Sequence, residues 1–143
     1  IVDAKLYDIG RLKAKFAKLI YDYLIARQNY VIRLIKEKSS FSPPSNFNHV
    51  YKLTKGFIGL GAKMGEGWLL TAEILELIEQ GVKNVICAQP FGCLPNHIVG
   101  KGMMKHIKEK YPDVNLVAID YDAGASRVNQ ENRIKLMLAN SVV

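Results

Sequence analysis

The chain has 143 residues, of which 49% are hydrophobic, a size and composition typical of one globular domain. No apolar run approaches the roughly 20 residues that a membrane-spanning helix needs, so the sequence predicts no membrane partner. The net charge of +7 comes from residues 1–55, which hold 11 lysines and arginines against 4 aspartates and glutamates. Basic composition alone indicates only non-specific association, so we do not expect nucleic acid as a partner.

A long amphipathic helix is predicted from Ile9 to about Lys38. Its apolar residues recur at spacings of three and four, the period of one helix face. This stripe consists of Leu12, Phe16, Leu19, Ile20, Tyr23, Leu24, Val31, Leu34 and Ile35. A helix of about 30 residues measures about 45 Å, which is more than a domain of this size is expected to cover. We therefore predict that part of the stripe meets another surface, in a homodimer or against upstream domains of a longer protein.

A segment rich in serine and proline, Ser39–Asn46, is predicted to end this helix and to form a linker. The predicted domains are a basic amphipathic helix with its linker, 1–46, and an α/β domain, 47–143. Early in the second domain, five glycines fall within twelve residues at a spacing that matches no phosphate-binding motif. Because the chain begins at Ile1 without a methionine, we expect it to be a fragment of a longer polypeptide.

The remainder of the chain alternates helices with short apolar strands. The predicted elements are a helix over Glu66–Gln80, a strand over Val85–Ala88, a helix over Asn96–Tyr111, a strand over Leu116–Asp120 and a helix over Ser126–Leu138. Two near-continuous apolar strands joined by a helix indicate a right-handed βαβ unit. The expected fold class is α/β, with a small parallel, Rossmann-like sheet flanked by helices. Because two strands make a thin sheet, further strands are expected near Phe57–Leu60 or in the parent protein.

The first of these predicted helices has an apolar face that should point toward the core. Its expected inward residues are Leu69, Leu70, Ile74, Leu77 and Ile78. Glu73, Glu76 and Glu79 should point mostly outward, and Gly81 suits the position just after the helix end. The sequence therefore predicts one amphipathic helix that packs on the sheet.

The first group of residues that could bind a ligand or react follows the first strand. It lies at the end of the strand where ligands gather in open α/β sheets. Here the chain turns through Gln89–Gly92 and delivers Cys93 and His97 near the start of a helix. One cysteine and one histidine do not complete a tetrahedral metal site, although the pair could act as nucleophile and base. The structural alternative for Cys93 is a small residue that fills a tight turn, and Cys87 is expected in the core.

The second group, Asp120–Ser126, ends the second strand with two carboxylates and offers Ser126 as a helix N-cap. The amides of that helix could hold an anion, whereas the carboxylates could receive a polar partner. The structural alternative to a ligand site is an acidic turn with a capping serine. Both groups follow the carboxyl ends of parallel strands, so Cys93 and Asp120 are expected at one edge and in one crevice.

The two cysteines also indicate the cellular compartment of the protein. A disulfide between Cys87 and Cys93 would distort the first strand, because one lies inside it and the other beyond its end. Both thiols are therefore expected to be reduced, which predicts a cytoplasmic protein.

Three blocks of sequence carry a resemblance to a known family: Gly65–Glu73 (GEGWLLTAE), Gln89–Gly102 (QPFGCLPNHIVGKG) and Ile119–Ser126 (IDYDAGAS). In this order they resemble the C-terminal region of the activase-related proteins of the 2-hydroxyacyl-CoA dehydratase and benzoyl-CoA reductase group. These proteins are often called CoA-substrate-specific enzyme activases. The resemblance covers roughly residues 47–138.

The resemblance implies a partial function in electron transfer. Family members join ATP-binding activator domains of the acetate-kinase and actin type to a dehydratase-subunit-like portion. ATP hydrolysis drives a low-potential electron through iron–sulfur clusters into the dehydration or reduction of an acyl-CoA. In the dehydratase-like portion, cysteines from separate strand-to-helix loops share one [4Fe–4S] cluster. Cys93 matches such a position, so the resemblance implies that Cys93 is a metal ligand.

Such a cluster needs several thiolates, and the chain offers no second convincing one. The resemblance therefore implies a [4Fe–4S] cluster in the full-length protein and none in this chain alone. The implied partners are the upstream domains and the acyl-CoA dehydratase or reductase system, and no catalytic residue is assigned. The alternative is a non-catalytic docking or structural α/β module, whose basic helix binds a partner subunit and whose Cys93 is inert.

Overall fold

A computed structural model of the protein describes residues 10–141. The chain divides into two compact units, Ile1–His49 and Val50–Val143. The fold is mixed α/β, with a long N-terminal helix and a two-stranded parallel sheet, as the sequence predicts. None of the described helices combines the length and the apolar character that crossing a membrane requires.

The first unit is built on helix α1, Arg11–Lys38. The predicted end at Lys38 is confirmed, whereas the predicted start at Ile9 lies outside the described residues. Ser39 terminates the helix, because its amide and its hydroxyl both donate to the carbonyl oxygen of Ile35, at 3.1 and 2.8 Å. A carbonyl group of the last turn is therefore hydrogen-bonded by Ser39, at the point where the helix ends.

The face of α1 that makes contacts within this unit is not the predicted stripe. Residues 46–48 fold back along the helix, where the amide of Phe47 donates to Oε1 of Gln28 at 3.0 Å. The hydroxyl of Tyr21 donates to the side chain of Asn48, and the rings of Tyr21 and Phe47 meet edge to face at 6.5 Å. Helix α1 is entirely described, and none of its side chains is buried.

The second unit surrounds the sheet with helices. Its elements are α2 (Phe47–Leu53, which begins in the first unit), α3 (Trp68–Glu79), β1 (Asn84–Gln89), a π-helical turn (Asn96–Gly100), a 3₁₀ turn (Lys101–Met103), α4 (Met104–Lys110), β2 (Asn115–Asp120) and α5 (Arg127–Ala139). Both predicted strands are confirmed. The segment predicted to be helical over Asn96–Tyr111 is confirmed as helical, and it consists of a π turn, a 3₁₀ turn and a short α-helix. Residues 57–60 are described and form no strand, so the extra strand considered there is wrong.

Strands β1 and β2 are parallel neighbours, in a register that runs from Asn84 opposite Asn115 to Gln89 opposite Asp120. One face of the sheet contributes to a hydrophobic core that consists of Ile74, Leu75, Val85, Ile107, Val114 and Leu116. On the opposite face Ile119 is fully buried, whereas Ile86 remains 45% exposed. The sheet is therefore more completely covered over β2, which has no exposed residue, than over β1.

The inward face of helix α3 overlaps the predicted one, because Ile74 is buried and Ile78 packs against the core. Its buried residues are Thr71, Ala72, Ile74 and Leu75. Leu77, which was expected inside, is 38% exposed. The hydroxyl of Thr71 donates to the carbonyl oxygen of Val99, which satisfies this polar group in the interior. Compared with the prediction, the buried face includes Thr71 and Ala72 and leaves out Leu77.

The glycine-rich loop closes on the first turn of α3. The amide of Trp68 donates to the carbonyl oxygen of Ala62 at 2.7 Å, and Gly67 adopts a φ of +55°. A Cβ atom at Gly67 would lie 2.3 Å from that same oxygen. Only glycine fits this position, because it combines a left-handed backbone with a close approach of the main chain.

Candidate functional site

The carboxyl ends of β1 and β2 form one polar edge of the sheet. The amide of Tyr121 donates to the carbonyl oxygen of Gln89 at 2.7 Å, and Nε2 of Gln89 donates to Oδ1 of Asp120 at 2.7 Å. Because the strands are parallel, the loop with Cys93 and the loop after Asp120 both leave from this edge. The predicted juxtaposition of the two loops is therefore confirmed.

Gln89 is the buried polar residue of this edge, with 1% of its surface exposed. Its Nε2 atom donates a hydrogen bond to the carboxylate of Asp120, whereas its Oε1 atom has no hydrogen-bond partner among the described residues. A buried acceptor without a partner costs about 1–3 kcal/mol. Sequence reasoning missed Gln89, and the signal that could have found it is a polar residue at the last position of an apolar strand.

The carboxylate of Asp120 is stabilised in its charged form. The hydrogen bond from Gln89 is the main cause that lowers the pKa of Asp120. Positive charge from Lys101, His97 and Arg133 lowers the pKa of Asp120 further, and partial burial opposes these effects. Because Lys101 and His97 belong to the helical turns after β1, the two candidate groups interact electrostatically at Asp120.

His97 is held by the main chain of its turn and not by the thiol of Cys93. Its Nδ1 atom lies 2.9 Å from the carbonyl oxygen of Cys93, which also accepts the amide of His97 at 3.0 Å. A carbonyl oxygen only accepts, so this contact requires the hydrogen to be on Nδ1. Within the described part of the chain, no hydrogen bond joins the imidazole to the thiol. The geometry therefore gives no support to a nucleophile and base pair of Cys93 and His97.

Cys87 and Cys93 are both half-buried free thiols, but their surroundings differ. Cys87 lies inside β1, and a Cβ atom at Gly100 would lie 3.2 Å from its Sγ atom. Burial raises the pKa of the Cys87 thiol, because the thiolate is less well solvated there. Cys87 therefore packs against the π turn, although it is only half-buried and not fully enclosed as a core residue.

Cys93 fits the role of a single ligand, but the described residues do not complete a metal site. Among residues 10–141, no group of three or more histidine, cysteine or acidic side chains is placed to hold a metal ion. An iron–sulfur cluster needs several thiolates, and the raised pKa of Cys87 makes that thiol a poor second donor. A cluster at this edge would therefore need thiolates from outside the described residues.

A cleft of about 750 Å³ lies between the end of β2 and α5. Phe91 from the first loop, Asp120 and Asp122 from the second, and Arg133 from α5 contribute to its walls. Cys93 is not among the described residues that line this cleft. Both loops therefore line this cleft, the first of them through Phe91, and the expectation that one crevice also holds Cys93 stays a prediction.

Helix α5 covers the outer edge of β2. Nε2 of Gln130 donates to the carbonyl oxygen of Asp120 at 2.9 Å, and Nη1 of Arg133 donates to that of Ala118 at 3.0 Å. These carbonyl groups point away from β1, so both side chains protect an open sheet edge. Gln130 and Arg133 therefore have a structural role at the side of the sheet.

Ser126 occupies the N-cap position of α5, but its side chain makes no capping hydrogen bond within the described residues. The predicted position of the cap is therefore right, and the predicted hydrogen bond is wrong. The backbone of Ser126 is extended, and its carbonyl oxygen accepts the amide of Gln130 at 3.2 Å. The start of α5 is thus set by the main chain.

The described residues form a small α/β protein with a polar edge at the carboxyl ends of two parallel strands. Compared with models of known protein families, with curated proteins and with solved structures, the chain matches none of them. What it can do therefore follows from its own side chains: the thiol of Cys93, the oriented carboxylate of Asp120 and the exposed surface of α1.

Proposed function

We propose that the chain is the C-terminal, dehydratase-subunit-like domain of an activase-related protein of the 2-hydroxyacyl-CoA dehydratase and benzoyl-CoA reductase group. In this proposal Cys93 contributes one ligand to a [4Fe–4S] cluster of the full-length protein. The observation that supports it is the free, half-buried thiol of Cys93 in the loop that follows β1, at the polar edge of a parallel sheet. Thiolates from strand-to-helix loops are suitable iron ligands.

The bound cluster would supply one-electron transfer at low potential, in a system with an acyl-CoA dehydratase or reductase as partner. The residues of this chain would bind iron through Cys93 and hold a negative charge at Asp120 through Gln89. The positive charge of Lys101 lies near the same carboxylate, as its effect on the pKa of Asp120 indicates. Net charge near a cluster tunes its reduction potential, so these residues would adjust the electron affinity of the site.

The proposal assigns β1 and β2 to a Rossmann-like sheet that upstream domains would extend. The outer edge of β2 is covered by Gln130 and Arg133, whereas Ile86 on β1 is 45% exposed. The face of β1 that carries Ile86 is therefore open to further packing from these domains. A cytoplasmic location is part of the proposal, and the free thiols of Cys87 and Cys93 support it.

The experiment that tests the ligand role is anaerobic reconstitution of the full-length protein with iron and sulfide. We compare the wild type with Cys93→Ser and with Cys87→Ser, the matched control for the loss of one half-buried thiol. We expect the visible charge-transfer absorbance and the bound iron to be retained in Cys87→Ser and largely lost in Cys93→Ser. The isolated 143-residue chain should bind no intact cluster, because it offers one suitable thiolate.

Unchanged iron content and an unchanged spectrum in Cys93→Ser would contradict the ligand role. Stoichiometric iron and sulfide in the isolated chain would contradict the expectation that other ligands lie elsewhere. The alternative function, a docking module with an inert Cys93, is favoured by the exposed stripe on α1, where Leu12 is 82% exposed. It predicts normal partner binding and no iron that depends on Cys93.

A further inference from the structure

We propose that α1 pairs with α1 of a second copy of this chain in a parallel, in-register coiled coil. The proposed seam consists of residues spaced alternately four and three apart: Leu12, Phe16, Leu19, Tyr23, Ala26 and Tyr30. This alternation is the heptad period at which the side chains of two helices interlock. The next two seam positions are Arg33 and Glu37, so the apolar seam ends after Tyr30.

The seam is uncovered in the single chain. Leu12, Phe16, Leu19 and Tyr23 are 82%, 65%, 66% and 63% exposed, and Tyr30 is 43% exposed. Large apolar side chains that are left exposed together on one helix face mark a contact surface. The open space beside this part of α1 is bounded mainly by apolar side chains, including those of Leu12, Phe16 and Leu19. The seam therefore needs a partner that is itself apolar.

The opposite face of α1 is already occupied within the first unit. Tyr21 and Gln28 stand at the heptad positions farthest from the seam. Both contact the segment that folds back, Tyr21 through Asn48 and Gln28 through the amide of Phe47. The chain thus covers the back of the helix and leaves its heptad face free, which is the arrangement that pairing through the seam requires.

The charges beside the seam favour a second copy in parallel orientation. In a parallel, in-register coiled coil, a residue at heptad position g, directly before the seam position a, faces the residue at position e of the partner helix. That residue is five positions later in the sequence. Asp22 precedes Tyr23, and the residue five positions later is Arg27, of opposite charge. Twofold symmetry forms this ion pair twice.

A basic amphipathic helix could also rest on an anionic membrane surface. The second copy is the better occupant, because Asp22 lies directly beside the seam, where an anionic surface would repel it. Among the described residues, the ion pair of Asp22 is with Lys18, one turn away on the same helix, and both side chains are exposed. An exposed pair of this kind contributes little, so Asp22 is available for the partner's charge.

Light scattering of the purified chain tests the pairing, and we expect the mass of a dimer. Leu19→Glu places a carboxylate in the seam and should raise the dissociation constant by about 100-fold or more, since the charge must be buried. Leu24→Glu is the matched control, because Leu24 is 58% exposed against 66% for Leu19 but lies beside the seam. It should change the dissociation constant by less than about 5-fold. At a concentration at which both variants are monomers, circular dichroism should show equal helix content, so that a difference in mass does not come from a helix that fails to form.

Orientation is tested with Leu12→Cys in a chain that carries Cys87→Ser and Cys93→Ser. Leu12 lies near one end of the seam, so the two copies of this residue meet only in the parallel arrangement. We expect rapid formation of an intermolecular disulfide through residue 12 on mild oxidation. A dimer that does not cross-link there would overturn the parallel register.

Three other results would overturn the proposal: a chain that is monomeric at the highest attainable concentration, a dimer that Leu24→Glu and Leu19→Glu dissociate equally, or a dimer that resists both. Binding of the monomer to phosphatidylserine vesicles without self-association would equally overturn it, in favour of a membrane surface. None of these measurements involves iron, so their failure is distinguishable from failure of the proposed role of Cys93.

Discussion

At the scale of single residues, the contact between Gln89 and Asp120 links the two loops of the candidate site. Gln89 is buried in the last position of β1, and its amide fixes a carboxylate at the end of β2. The same hydrogen bond lowers the pKa of Asp120, with help from the charges of Lys101, His97 and Arg133. The hydrogen bond and the neighbouring charges therefore keep Asp120 in its negatively charged form at this edge.

We expect Asp120 to make the stability of the fold depend on pH under acidic conditions. Since its pKa is lowered in the folded state, its contribution is complete above its pKa in the unfolded chain, about 4. That contribution is lost as the pH falls through the lower folded pKa. Urea denaturation between about pH 5 and about pH 2 should show a steeper loss of stability in the wild type than in Asp120→Asn. Equal slopes would contradict this, and Asp122→Asn is the control.

A second expectation concerns the glycine that starts α3. Gly67→Ala should lower the free energy of unfolding by about 3 kcal/mol or more, from left-handed strain together with overpacking. The overpacking arises because the new Cβ would lie 2.3 Å from the Ala62 oxygen. Gly81→Ala is the matched control, since its φ is +87° and no atom lies within 4 Å of a new Cβ. It should cost only about 1–2 kcal/mol. Chemical denaturation measures both, and equal losses would contradict the close approach.

At the scale of elements, the strands and the position of the helical segment between them were predictable, whereas the irregular form of that segment was not. β1 and β2 are short apolar runs flanked by turn residues, and a helical segment between them favours parallel pairing. The π turn over Asn96–Gly100 has no signature in the hydrophobic period. A Cβ atom at Gly102 would lie 3.0 Å from the carbonyl oxygen of His97, so this distortion depends on a close backbone approach. Such contacts become visible only in three dimensions.

The faces of the helices were harder to predict than their positions. The prediction for α3 counted large apolar residues and therefore chose Leu77 over Thr71. Thr71 is buried because the carbonyl oxygen of Val99 accepts its hydroxyl, a partner supplied from another part of the chain. Gln89 is buried for a similar reason, through Asp120. The buried polar residues of the site could not be assigned from periodicity, because their partners are not local.

The stripe on α1 shows the limit of assigning a buried face from hydrophobic periodicity, because this helix buries none of its side chains. Its period correctly predicted a helix that ends at Lys38. The period does not say which apolar face the chain itself covers, and here Tyr21 on the opposite face meets Phe47. A helix with two apolar faces can satisfy one locally and offer the other to a partner.

At the scale of the whole molecule, the two units differ in how they are stabilised. The second unit, Val50–Val143, has a hydrophobic core that contains the fully buried Ile107, and Ile119 is fully buried on the other face of its sheet. Helix α1 in the first unit buries none of its own side chains, all of which are described. Burial of apolar surface is the main favourable term in folding, so the two units should open with different free energies.

Hydrogen exchange should resolve this difference. The amides of β2 lie between β1 and α5, so they exchange only through a large opening of the second unit. Those of α1 exchange through local fraying, because helices without tertiary packing are marginal in water. In dilute protein, peptides from Arg11–Lys38 should exchange at least about 100-fold faster than those from Asn115–Asp120, since a difference of about 2.7 kcal/mol in opening free energy suffices.

Protein concentration provides the control for this expectation. Raising it should slow exchange in α1, because pairing of two helices adds burial, and should leave β2 unchanged. If α1 in dilute protein were protected as strongly as β2, the helix would be stabilised by contacts other than those of its open seam. A rate in α1 that is fast and independent of concentration would show that the helix stays unpaired. Protection that rises with concentration in α1 alone would show that the first unit gains its stability from a second copy of the chain.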